Sequence, residues 1–423
     1  MNRNGSLSRV GYSLLLLLCF LVPLGELTKL NVSALSGGGI AMLGPTTVLA
    51  LSIIAIGVLS GQMFKVLGRN RLLFLPYIYA AVAIFASFLL SDFMATYGIY
   101  HGLFLVLYYS VALSVVSLMS SRSQVLVVLL VLMFSGTLMT ALAVIDHHGI
   151  VDIPRVNERS FSIEAEDQGV RVKTLSGPFR SRSEYAAHIC LILPISFVFA
   201  LSKGCGIVFR STAFACFLVM FYGVLIAGSR GLYLALMVFV PYVVLFIAPS
   251  RRVVNLFLAA VLFCSLIFLF SVFKPETFIA IASRFSSLSF DSIRYVDYDM
   301  IRIHAFTQTL SELLYRPWGV GITQVYIWGR YWDAHNVFTE FLRGAGVIGL
   351  LLGYFFFFPL VKRALRPRDI QVEVLLVASF LSFLAYNMAH SFWQTNVLWV
   401  CFGLYVAVIS NPERPSISGK TLF

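Results

Sequence analysis

Charge is what this chain is short of. Only 12% of its 423 residues are Asp, Glu, Lys or Arg, against 59% hydrophobic ones, and its mean hydropathy is +0.89. A water-soluble domain carries about 25% charged residues, whereas a helical bundle solvated by lipid does not need them. Negative charge is the scarcer sign: 19 acidic residues face 31 basic ones, a net charge of +12. That excess invites a nucleic-acid reading, but its distribution along the chain argues against one. Cysteine is sparse as well. Cys19, Cys190, Cys205, Cys216, Cys264 and Cys401 fall in apolar runs or on short basic loops. None lies in a long polar connection, which speaks against a disulfide framework. No Cys/His spacing suits zinc, and no P-loop, dinucleotide fingerprint or Ser-His-acid triad stands in a workable context.

What the chain does have is long apolar runs. They lie near 11–25, 46–63, 72–90, 100–120, 124–145, 185–201, 211–229, 231–248, 253–273, 345–361, 371–389 and 393–410. They predict an all-α fold: a polytopic membrane helical bundle of about twelve transmembrane helices, with residues 1–423 forming a single integral membrane domain. No small-x-small cleavage site follows Phe20 to Leu24, so the first run reads as an uncleaved span.

The basic residues then assign orientation. Arg3 and Arg9; Lys65, Arg69 and Arg71; Arg122; Lys203 and Arg210; Arg251 and Arg252; Lys362, Arg363, Arg366 and Arg368; and Arg414 and Lys420 occupy alternate connections. The short connections between them hold only Lys29 and Arg230. The positive-inside rule makes both termini cytoplasmic. Half of the positive charge is accounted for by topology.

Two long connections remain on the outer side, 146–184 and 274–335, with six Lys or Arg each. In the second, "IRIHAFTQTLSELLYRPW" spaces Ile303, Phe306, Leu310, Leu313 and Leu314 as on a helix that ends at Pro317. The pattern predicts an amphipathic helix on the membrane surface or capping the bundle.

Several residues on this outer side carry possible chemistry. His335 precedes an apolar run; Asp333 is a possible cap for a helix starting near Asn336, which would put His335 in its first turn. A helix N-terminus keeps an imidazole neutral, as a general base requires, and attracts anions. The plain alternative is an interfacial histidine bonded to a carbonyl. Gly346, Gly349 and Gly353 share a helical face and predict close approach of another helix. Arg230 in "IAGSRGLY" sits in a very short connection, where it must snorkel or meet an anion. "TLSGPFRSRSEYAAH" brings Arg180 and Arg182 to the start of a span. With Arg302, these arginines suit phosphate better than lysine would. Asp291, Asp297 and Asp299 are the one conceivable metal loop, and their tyrosine-rich spacing makes a poor one, so no metal ligand set is assigned.

Together these residues resemble the O-antigen ligase and polymerase superfamily of bacterial membrane glycosyltransferases. "HNVFTEFLRGAGVIG" is similar to the ligase pattern of His, then Asn, Ser or Gln, nine residues, Gly, two residues and Gly, Thr or Tyr, matched by His335, Asn336, Gly346 and Gly349. "GSRGLYLAL" resembles the family's Ser/Thr-Arg start of a span. "IRIHAFTQTLSELLYRPWGVGI" resembles its arginine, amphipathic helix and Gly-x-Gly turn, here Gly319 to Gly321. The chain departs near 177–185, where Arg182 and Ser183 stand at positions more often asparagine.

The resemblance implies an inner-membrane enzyme with a large periplasmic loop containing short amphipathic helices. It would move a glycan from undecaprenyl diphosphate to a hydroxyl of the lipid A-core, in contact with membrane lipids and without nucleic acid, metal or other cofactor. His335 would be the catalytic base; Arg230 and Arg302, assisted by Arg180 or Arg182, would hold the donor diphosphate; Asn336, Gly346 and Gly349 would support. A polymerase with a lipid-linked repeat as acceptor is the alternative within the class. A transporter of anionic lipids or glycans is the alternative outside it.

Overall fold

In a computed structural model the described residues are 3–22, 30–31, 42–69, 71–89, 92–151, 162–165, 170–173, 175, 179, 182–202, 204–247, 252–276, 278–279, 298–322, 325–327, 330–332, 336–365, 372–388 and 395–410. The first half contains helices α1 (Arg3–Leu21), α2 (Pro45–Leu59), α3 (Gln62–Arg69), α4 (Leu75–Ser87), α5 (Asp92–Leu118) and α6 (Arg122–His147). Then come α7 (Arg182–Leu201), α8 (Ile207–Ala227), α9 (Arg230–Ile247) and α10 (Arg252–Phe273). The last are α11 (Tyr298–Tyr315), α12 (Val337–Leu365), α13 (Val372–Asn387) and α14 (Asn396–Ser410). Strand occurs only as three short antiparallel ladders among the described residues: Leu30–Asn31 with Met42–Leu43, Ser162–Ala165 with Val170–Lys173, and Val325–Ile327 with Arg330–Trp332. They lie in connections, so the body of the protein is helical.

Each of the twelve apolar runs coincides with a helix. Among the described residues six helical stretches are long and apolar enough to cross a membrane, in α5, α6, α7, α8, α9 and α12; α2 and α3, bent by 74° at their junction, make a seventh if taken as one span. Five more apolar helices of 10–17 residues are shorter, in α1, α4, α10, α13 and α14. Local chemistry starts several of them. Pro45 opens α2, where its missing N–H costs nothing. At α6, Ser121 accepts from the Gln124 amide while Gln124 Oε1 accepts from the Ser121 amide, a capping box.

Apolar residues cover both the inside and the outside. α7 is the most enclosed of the candidate spans and packs on α8 and α13, with Tyr185, Ile189, Leu191 and Ile195 fully buried. Outward, Phe85, Val208, Met237, Phe257 and Phe268 are exposed. In water such a surface would aggregate; in hydrocarbon it is the ordinary solvent-facing surface.

Side-chain contacts fix how the helices run. Tyr109 donates to the Leu73 carbonyl (2.6 Å), while Gly102 and Gly98 sit against Ile84 and Ser87, so α4 and α5 are antiparallel. Phe197 stacks near Phe217 and Phe199 near Phe209, so α7 and α8 are antiparallel too. Tyr12 meets Gln124 and Ser135 meets Phe20, making α1 and α6 parallel. Trp399 lies against Tyr109, and Gly403 against Ala112 and Val115, making α14 parallel to α5. These directions agree with a chain that alternates between two ends.

Candidate functional site

At the other end of these helices lie Arg230 and the starts of α7 and α12. Its geometry begins at α13, whose last turn ties two helix starts together. Tyr386 donates to the Ser183 carbonyl at the start of α7 (2.8 Å). Asn336 Nδ2 donates to the carbonyl of Met388, just past the end of α13 (3.0 Å). The start of α7 and the start of α12 are therefore pinned to one point. A Cβ on Gly223, near the end of α8, would overlap Tyr185 and press on Thr140, so α6, α8 and α7 meet at the same level. His148 and Tyr222 close that level with a 3.2 Å hydrogen bond.

Arg230 stands at this end because α8 and α9 are joined by only two residues. Gly228 takes φ 59°, a left-handed conformation that ends α8 without a side-chain clash. Buried Ser229 then offers its carbonyl to the amides of Leu232 (3.0 Å) and Tyr233 (3.2 Å), starting α9. Arg230, half-buried, is the first residue of that helix. An arginine at the positive end of a helix is placed against the dipole, a position that favours an anion in front of it. Arg182 likewise begins α7, and Arg302 lies in the second turn of α11; the side chains of both, and all of Arg180, lie outside the described residues. His335, Asp333, Asp291 and Asp297 also lie outside them, as does the side chain of Asp299. Among the described residues no group of three or more His, Cys, Asp or Glu is placed to hold a metal ion.

The start of α12 differs from the sequence expectation. Asn336, not Asp333, is its cap: Asn336 Oδ1 accepts from the amides of Phe338 (2.9 Å) and Thr339 (3.3 Å). The helix begins at Val337, so His335 precedes the cap instead of occupying the first turn. Asn336 also donates to Met388, a bond that an aspartate at that position would have no N–H to make.

The glycines also have another purpose than the one expected. α12 is not one helix. Ala345 (φ −144°, ψ 26°) and Gly346 (φ 55°, ψ −128°) break it into 337–344 and 347–365. The stretch Val337–Tyr354 passes as a span by length and apolarity, yet the break means that the unbroken piece starts at Val347. Into the break comes the turn that follows α11. The Val320 amide donates to the Arg343 carbonyl (2.8 Å), and the Val347 amide donates to the Pro317 carbonyl (3.0 Å). The carbonyl and the amide that a continuous helix would have paired with each other are thus both satisfied by the turn. Gly319 (φ 87°) and Gly321 (φ 81°) shape it, and Gly321 and Gly98 close on Ser87. A Cβ on Gly346 would overlap the Pro317 carbonyl, and one on Gly349 would overlap the Phe341 carbonyl. Gly346 and Gly349 therefore serve a backbone break and a fold-back, not a smooth helix–helix face.

Three residues that the sequence reading passed over complete this region. Arg343, buried at 7% exposure, forms an ion pair with Glu312 of α11 through Nη1 and Oε2. Gln308, one turn earlier, donates to the other carboxylate oxygen (2.9 Å). A lone arginine inside an apolar run was the available signal. On α11, Ile303, Phe306, Leu310 and Leu314 are exposed and Leu313 is half-buried, while Ala305 and Thr309 are buried. The apolar stripe faces outward together with His304, Thr307 and Ser311, while Ala305 and Thr309 turn inward.

No family model matches the chain, and no curated protein matches it. The residues at this end are helix starts beginning with arginine, a capped helix start at Asn336, and the turn that braces the break.

Proposed function

We propose that the chain is a membrane glycosyltransferase of the O-antigen ligase type. In this reading it spans a bacterial inner membrane twelve times with both termini cytoplasmic. On the periplasmic side it transfers a glycan from undecaprenyl diphosphate to a hydroxyl of the lipid A-core. The observation that carries the reading is the tether of two helix starts, α7 and α12, to the end of α13, at the level where α9 begins with Arg230.

The chemistry follows from that arrangement. Helix starts carry positive dipole ends, which suit a diphosphate. His335 takes the proton of the acceptor hydroxyl; the acceptor oxygen attacks the anomeric carbon from the face opposite the diphosphate. The bond from that carbon to the phosphate oxygen breaks, and undecaprenyl diphosphate leaves with its electron pair. Arg230 and Arg302, with Arg180 or Arg182, meet the charge that grows on the leaving oxygens. One inversion results.

The test is His335→Ala in vesicles holding lipid-diphosphate-linked glycan and lipid A-core. Transfer should fall by about 10²–10⁴-fold, as for loss of a general base, at unchanged membrane insertion. Full activity in that variant removes histidine from the mechanism, and glycan lengthening without any core acceptor makes the enzyme a polymerase.

A further inference from the structure

The turn at 316–320 fixes the end of α11 but not its rotation. α11 has 18 residues, a lever of about 27 Å at 1.5 Å per residue. What α11 buries besides that turn is small, Ala305 and Thr309, a contact that leaves its rotation about its own axis loosely set. Rolling by one residue's worth, about 100°, would turn Arg302 to a different face. Among the described contacts, the side-chain bond between α11 and α12 that opposes such a roll is Glu312 to Arg343. Gln308 holds the second oxygen of Glu312 and so fixes the carboxylate plane.

We infer that the Arg343–Glu312 pair is a positioning device, setting the rotation of α11 so that Arg302 and the mouth of α12 address one substrate. This rests on the transfer reading above. A buried ion pair is a weak source of stability, because desolvation offsets much of the attraction; its best-attested use is to select one register among several. The surroundings match that use. The pair lies one turn from the break at Ala345–Gly346, whose backbone bonds to the turn already join the two elements. Apolar residues at 312 and 343 would pack as well but would accept many rotations. Arg343 acts through α11 and touches no reacting atom.

The experiment compares Arg343→Glu, Glu312→Arg, Arg343→Lys and the double exchange Arg343→Glu/Glu312→Arg with the parent protein, all in lipid nanodiscs. Spin labels go on Thr307→Cys of α11 and Phe338→Cys of α12, both exposed positions, in a Cys264→Ser background. The parent should give one narrow distance distribution. Either single charge reversal should broaden it and lower turnover on the order of 10²-fold, the cost of misplacing a catalytic group by about 1 Å. The double exchange and Arg343→Lys should narrow the distribution again and restore turnover to within about tenfold. A narrow, unshifted distribution in both single reversals overturns the inference, whatever happens to activity. So does a broadened distribution that the double exchange fails to narrow while the protein remains folded by its melting curve. If the parent transfers no glycan from a lipid diphosphate, the proposed function falls, while the distance measurement still decides the positioning role.

Discussion

Gly346→Ala tests the broken helix directly. Gly346 has φ 55° and ψ −128°, a region almost confined to glycine, and forcing an L-residue into it costs about 1–3 kcal/mol. The new methyl would also overlap the Pro317 carbonyl, which belongs to backbone and cannot swing aside as a side-chain end can. Relief requires the turn to withdraw. Withdrawal breaks the Val320–Arg343 and Val347–Pro317 bonds, each leaving buried backbone groups unpaired at about 1–3 kcal/mol. The sum is about 3–9 kcal/mol, against the roughly 5–15 kcal/mol that holds a typical domain folded. Gly346→Ala should therefore lower the apparent Tm of the purified protein strongly or prevent its accumulation. Gly349→Ala should also destabilise, since its methyl meets the Phe341 carbonyl. Gly68→Ala is the control: nothing lies within 4 Å of its would-be Cβ, and alanine in a helix should gain about 0.5–1 kcal/mol. Fluorescence-detected size-exclusion melts on the three variants give the answer. A Gly346→Ala protein that melts with the parent would mean that residue 346 is helical and that the turn does not enter α12.

The tethers and cations give further expectations. Asn336→Ala should cost about 1–3 kcal/mol, the sum of a lost cap and a lost side-chain bond; Asn336→Asp should recover the cap but not the bond to Met388, so transfer should stay low while stability returns. Arg230→Lys and Arg302→Lys should each fail to restore turnover at matched expression, because an ammonium cannot engage paired phosphate oxygens as a guanidinium does; near-parental turnover in both would return these residues to membrane anchoring. Transfer should continue in excess EDTA; inhibition reversed by Mg²⁺ would bring Asp291, Asp297 and Asp299 back as metal ligands.

The helices were legible and the break was not, for a physical reason. An apolar run announces itself locally, and every such run coincides with a helix here, although among the described residues six helices, or seven with the bent pair, are long and apolar enough to cross a membrane. The break at Gly346 depends instead on a turn 26–29 positions earlier, at Pro317 to Val320, whose groups replace the missing helical bond. Apolarity carries no information about that exchange. Glycine at 319, 321, 344, 346 and 349 did carry some, since so many residues without a side chain allow backbone to meet backbone as well as helix to meet helix. The cap at α12 was ambiguous for a different reason. Asp333 and Asn336 are equivalent by preference alone, and the start of the helix at Val337 is what makes Asn336 the cap.

The placement of Arg343 extends the same point to the site. A sequence shows that an arginine is embedded in an apolar segment but not which acid meets it, and Glu312 lies 31 residues earlier on a helix whose exposed stripe is apolar. That inversion is informative in itself. A helix capping a bundle from the water side would turn Ile303, Phe306, Leu310 and Leu314 inward, whereas α11 turns them out and Ala305, Thr309 and Glu312 in. Its outer face mixes those apolar residues with exposed His304, Thr307 and Ser311, and its inner face brings Glu312 to Arg343 of α12. Under the proposed transfer reaction, Ile303, Phe306, Leu310 and Leu314 are the residues of α11 that would meet the donor's lipid chain.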